Sequence, residues 1–215
     1  MTNRHEEHLA NLSEIRSMME RSTRFLSLSG LSGVSAGIIA LIGAFALAAY
    51  LGMDNYDFSE KQAYQQLPSL KWGMKPLTFL LLDASLVMLL AFLSGLYFTT
   101  RKARKQGRKL WTKASRRLAF NSAVPMTVGG LFCLIMLTKG NFGMLAPGML
   151  IFYGLALYTG GMYTLNEIRW LGGCEMILGL LAAYFPGYGL QFWMLGFGIL
   201  HIVYGAYMYF KYERE

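Results

Sequence analysis

The sequence predicts an all-α membrane protein: a polytopic bundle of six transmembrane helices with both termini in the cytoplasm. Three observations lead there. Hydrophobic residues make up 54% of the 215-residue chain and charged residues only 15%, against about 25% charged in a typical soluble domain. Mean hydropathy is +0.36 although some stretches are strongly polar, so the apolar residues must be gathered in blocks. The basic residues, finally, sit on alternate sides of those blocks. Together these features exclude a soluble enzyme, a disordered chain and a secreted disulfide scaffold.

A helix needs roughly 20 apolar residues to cross a bilayer core. Six segments meet that demand: 28–51, 76–99, 118–137, 142–165, 170–185 and 190–210. The fifth is short and takes in Ile168 or Gly187 to reach full length. None alternates with a two-residue period, which argues against a β-barrel. Six spans place the amino tail (Arg4, Arg16, Arg21, Arg24), the 101–117 loop, Arg169, Lys211 and Arg214 on one side. Only Lys61, Lys71, Lys75 and Lys139 of the 20 Lys and Arg fall on the other. The positive-inside rule makes the crowded side cytoplasmic, and an odd span count would scramble the bias.

The first apolar block has small residues spaced like a signal-peptidase site, at Ala44, Ala46 and Ala48. Its polar tail carries Glu6, Glu7, Glu14 and Glu20, and its apolar run exceeds the about 7–15 residues of a signal core. A retained first helix is the better reading. Cys133 and Cys174 both fall inside spans and read as small packing residues.

The chain thus divides into an amino-terminal segment, 1–24, and a membrane domain, 25–215. In the first, Asn3 with Glu6 forms a capping box, and Leu9, Leu12, Ile15 and Met19 recur at helical spacing. An amphipathic helix of this kind lies on the membrane surface, or docks a cytoplasmic protein partner. The outer loop, 52–75, offers Ser59 with Gln62 as a helix start and Pro68 as a stop. Its Tyr56, Phe58, Tyr64 and Trp72 suit an interfacial aromatic belt or the cover of a cavity mouth.

The 101–117 loop is dense in Lys and Arg, as a phosphate-binding patch would be. Held between two spans, it meets lipid before nucleic acid. Arg101, Lys102, Arg104, Lys105, Arg108 and Lys109 are read as contacts to anionic lipid headgroups, at about 1 kcal/mol each. Nucleic acid is not an expected partner. A short echo relates 13–16 (SEIR) to 166–169 (NEIR), each before a span. The stretches 19–33 (MERSTRFLSLSGLSG) and 201–213 (HIVYGAYMYFKYE) resemble small uncharacterised integral membrane proteins of Bacteroidetes-type bacteria. That resemblance implies a bacterial cytoplasmic (inner) membrane and carries no activity.

Lipid tails are as apolar as leucine, so helices associate in a bilayer through close approach at small residues. In the first span Ser32, Ala36, Ala40, Ala44 and Ala48 form one stripe, with Ser29, Gly33 and Gly37 beside it. Gly172 and Gly179 share a face of the fifth span, as do Gly198 and Gly205 of the sixth. Pro125 and Pro147 are expected to kink or begin their helices.

Chemistry enters through the ionisable residues inside the spans. Only Asp83, Glu175 and His201 lie well within the apolar segments. A charge at the bilayer centre costs about 2.5–3.5 kcal/mol on insertion scales, so such groups face protein or water. Spacing puts Glu175 on the Gly172–Gly179 face and His201 on the Gly198–Gly205 face. A rise of about 1.5 Å per residue places Glu175 ~9 Å and His201 ~15 Å from the cytoplasmic edge, and Asp83 ~10 Å from the outer one. Stacked on one axis, the three would form a ladder for protons or a cation. The competing reading is a neutral Glu175–His201 pair that fixes helix register and moves nothing. Asn121, Tyr153, Tyr158 and Tyr204 are candidates for polar lining.

His5 and His8 stand three apart but lack further ligands, so no metal site is expected. No phosphate-binding loop, dinucleotide fingerprint, zinc-protease helix or serine elbow occurs. The sequence therefore yields no catalytic residue and no cofactor, and an enzyme is the weakest reading. The two live alternatives are a small proton- or cation-handling transporter or channel, and a membrane scaffold or sensor. The second would act through the amino-terminal helix and the basic loop. Oligomeric state stays open.

Overall fold

The computed structural model describes Phe25, residues 27–52 and residues 71–214. The amino-terminal helix expected over 1–24 and most of the outer loop, 53–70, lie outside the described residues. Among those described, the chain is helical with no strand. In chain order the helices are α1 (Gly30–Leu51), α2 (Pro76–Lys105), α3 (Lys113–Thr138), α4 (Phe142–Tyr163, with short 3-10 turns at both ends), α5 (Asn166–Tyr184) and α6 (Gly189–Tyr212). All but α5 are long and apolar enough to cross a membrane. The 19 residues of α5 include Glu167, Arg169 and Glu175, which lower its hydropathy.

The packing order is α2, α1, α6, then α4 with α5, then α3. Small residues set most of these contacts, as expected where lipid supplies no hydrophobic drive. On α1, Gly33 meets the backbone of Gly205 and His201, and Gly37 meets Gly198 and Ile202 of α6. The stripe residues Ala40 and Ala44 are buried. Between α4 and α5, Gly154 and Gly172 face one another's backbone, and Gly179 abuts Ile151. Hydroxyls tie the remaining pairs. Ser35 Oγ donates to Ser94 Oγ at 3.1 Å between α1 and α2. Ser122 Oγ donates to the Ala156 carbonyl at 3.1 Å between α3 and α4. Pro125 lies buried inside α3, and Pro147 in the first turns of α4.

The basic stretch is mostly helix. α2 continues past Thr99 to Lys105 and α3 starts at Lys113, so only 106–112 separates them. Thr112 and Ser115 form a capping box at the start of α3, satisfying amides that the helix leaves unpaired. Arg101, Arg104, Lys105, Arg108 and Lys109 are exposed. Lys102 is turned inward instead: its Nζ donates to the Leu28 carbonyl at 2.6 Å and lies 3.3 Å from Glu213 Oε1.

Glu213 is the hub of that end of the bundle. Its carboxylate accepts from Ser29 Oγ at 2.9 Å and from the Gly30 amide. A carboxylate on the first amides of a helix is favoured by the helix dipole. Beside it, Phe25 N donates to the Tyr163 carbonyl at 2.7 Å, and Thr164 Oγ1 donates back to the Phe25 carbonyl. Glu167 accepts from Lys211 at 2.6 Å and from the Tyr212 hydroxyl at 2.8 Å. At the opposite end, Tyr50 is fully buried, stacks on Phe79 at 4.1 Å and donates to the Met74 carbonyl at 2.8 Å. Trp72, expected in an aromatic belt, meets Tyr50 edge-on at 5.6 Å.

Candidate functional site

Glu175 and His201 come together where α4, α5 and α6 meet. The approach of Gly172 and Gly179 to α4 sets the spacing on the α5 side. Between them Glu175 is 0% exposed. Its Oε1 lies 3.3 Å from His201 Nδ1, and His201 is 5% exposed. The two levels inferred from helical rise thus collapse into one contact.

α6 carries an irregular turn just before His201. The helix runs as α over Gly189–Trp193, widens into a π-helix over Met194–Leu200, then resumes as α from His201. Such insertions are rare and are frequent at functional sites. Gly198 and Gly205 flank His201 on this helix, and the His201 carbonyl faces α1 beside them. Those two glycines press on α1, against Leu41 and against Val34 and Gly30. The imidazole points instead to α4 and α5.

Both imidazole nitrogens are engaged. Nδ1 lies 3.0 Å from the Gly196 carbonyl, inside the π turn, and Nε2 lies 2.9 Å from the Tyr153 hydroxyl on α4. A carbonyl can only accept, so Nδ1 carries a proton. With a neutral ring, Nε2 then accepts from the tyrosine hydroxyl; with a charged ring, it donates to it. Aromatic rings close the surroundings: Phe197 stacks on the imidazole at 6.0 Å and Tyr153 lies 4.9 Å from Phe197. Leu150, fully buried, fills the space beside Gly196.

Glu175 is different. Neither carboxyl oxygen makes a hydrogen bond, although both are buried. A Cβ on Gly196 would collide with Oε2, so a glycine there is what admits the carboxyl. Leaving a buried acceptor unsatisfied costs about 1–3 kcal/mol, more for a charged group. The arrangement thus sets a buried carboxyl beside an N–H already bonded to another acceptor.

The other residues singled out by sequence lie elsewhere. Asp83 is half-buried on α2, with both carboxyl oxygens within 3.5 Å of the point where a Gly43 Cβ would stand. α1 stands between it and the pair, because α2 packs on α1 and α1 on α6. Asn121 donates to the Arg117 carbonyl of its own helix at 2.8 Å. Tyr158 accepts from Arg169 at 3.3 Å. Tyr204 meets Cys174 Sγ at 3.9 Å, one turn along α6 from His201. Among the described residues no cluster of three or more His, Cys, Asp or Glu could hold a metal ion.

The Lys102–Glu213 pair escapes a sequence reading, since 111 residues separate its members and nothing local marks either one. The π turn is equally silent in the residue pattern, apart from glycines at Gly196 and Gly198. The chain matches no family model, none of the curated proteins and none of the solved structures with which it was compared.

Proposed function

We propose that this is a membrane protein of the bacterial cytoplasmic membrane, crossing it six times with both termini inside. In this reading Glu175 and His201 form an intramembrane site that takes up and releases a proton or small cation in transport. One observation carries the functional half: a fully buried carboxyl, at ion-pair distance from an imidazole, whose oxygens make no hydrogen bond. Ionisable groups at such depth are expensive and normally serve ion or proton pathways. The π turn just before His201 supports the same reading. Tyr153 holds the imidazole, and Asp83, across α1, stands outside the site. The topological half draws on the five apolar helices and the one-sided distribution of Lys and Arg. Exposed Arg101, Arg104, Lys105, Arg108 and Lys109 then lie level with anionic headgroups.

The test is ion flux into proteoliposomes under an imposed pH gradient. Wild-type protein should carry flux, and Glu175→Gln, similar in shape, should abolish it with helical content unchanged. Equal flux from both proteins, or none from the wild type, refutes the transport reading.

A further inference from the structure

We propose that the ligand of this site is a proton and not a metal cation, and that the Nδ1–H of His201 switches between the Gly196 carbonyl and Glu175 as the proton leaves and returns. The inference rests on the assignment of Glu175 and His201 as an intramembrane site and specifies what they bind.

The donor set is too small for a calcium or magnesium ion. A bound hard cation such as calcium collects six to eight oxygen ligands, and magnesium demands near-octahedral geometry. Here Glu175 offers two oxygens, while His201 is bonded at both ring nitrogens, to Gly196 and to Tyr153. Gly196 and the Leu150 side chain lie beside the carboxyl. A proton needs only one oxygen lone pair.

The two acceptors around Nδ1 define the switch. At 3.0 Å the Gly196 carbonyl holds the N–H; at 3.3 Å Glu175 Oε1 stands beside it without a hydrogen bond. That geometry suits a neutral carboxyl, which does not require the imidazole's donor. When the O–H bond of Glu175 breaks, the proton passes to water and the electron pair stays on the carboxylate. The charged oxygen is the stronger acceptor, and a small rotation of the ring brings Nδ1–H to it. Gly196 then loses its side-chain bond, so the Met194–Leu200 turn loosens. Reprotonation reverses each step, and no oxidant or reductant is involved.

The groups facing Glu175 are few among the described residues. α4 contributes Tyr153, through His201, and α6 contributes His201 itself. On α5 the neighbouring Cys174 is directed to Tyr204.

Infrared difference spectroscopy of the lipid-embedded protein reads the site without requiring transport. A protonated-carboxyl band should disappear on alkaline titration, be absent in Glu175→Gln, and persist to more alkaline pH in His201→Phe, which lacks the donor. Amide exchange across 194–200, taken relative to the intrinsic rate at each pH, should accelerate over the same pH range as the wild-type band is lost. Adding sodium or potassium should leave the titration where it is. A midpoint that moves with sodium or potassium overturns the inference, as does a Glu175-dependent band missing throughout. A band that titrates in a protein with no proton flux supports the inference and removes only the transport reading.

Discussion

Gly205→Ala perturbs the α1–α6 contact with no side chain to absorb the change. A Cβ at position 205 would lie 2.5 Å from Val34 N, 2.6 Å from Gly30 O and 2.9 Å from Gly33 C. All three are backbone atoms of α1. Ordinary contact begins at 3.4 Å, so the helices must separate by nearly an ångström. Overpacking of this kind costs about 1–3 kcal/mol, while alanine's helix propensity returns up to about 1 kcal/mol. Gly130→Ala is the matched control, because nothing lies within 4 Å of its Cβ position. It collects the propensity gain without the clash. The stability difference between the two variants should therefore equal the contact cost, about 1–3 kcal/mol. Unfolding in mixed micelles, followed by helical circular dichroism, measures it. Equal stability of the two variants would refute the close-approach account of α1 and α6.

Two further outcomes follow from the polar contacts at the Glu213 end. Lys102→Met and Glu213→Gln should each cost about 1.5–3 kcal/mol, the range for hydrogen bonds to charged groups. The double variant should cost less than their sum, because both belong to one network; strict additivity in a double-mutant cycle would dissolve it. Glu167 lies before the apolar part of α5, and its burial alone would raise its pKa. The hydrogen bonds from Lys211 and Tyr212 outweigh that and hold it below the ordinary carboxylate value. A depressed folded value means the stabilisation is present above the unfolded pKa and is lost as pH falls through the folded one. Amide exchange at 207–212, taken relative to the intrinsic rate at each pH, should thus stay constant from neutral pH down to the ordinary carboxylate range and rise below it. A rise on the alkaline side instead would contradict the assignment.

The helices were legible in the sequence because a bilayer imposes a length and a composition on them. α1 and α4 begin and end within about two residues of the apolar blocks. The α2 and α3 boundaries were less so: both helices extend past the apolar blocks into charged residues that hydropathy reads as loop. The glycine faces were also legible, since Gly33, Gly37, Gly172, Gly179, Gly198 and Gly205 all make close contacts. The same spacing put His201 beside Gly205 at a helix contact, and the residue is buried there, its carbonyl against Gly33 of α1. Spacing at about 3.6 residues per turn does not register the π turn over Met194–Leu200, nor that the imidazole reaches Glu175. A ladder that includes Asp83 needs more than depth. Rise per residue gives depth along the bilayer normal, but not which helices are neighbours, and Asp83 sits on the far side of α1. Lys102 was grouped with its basic neighbours because its partner, Glu213, is remote in sequence.

The most direct measurement is the number of protons released when purified, lipid-embedded protein is shifted rapidly from acid to alkaline pH. If Glu175 binds and surrenders a proton within the bundle, the wild type releases one more per chain than Glu175→Gln. Identical release from the two proteins would show that this carboxyl never exchanges its proton, and the account would fail.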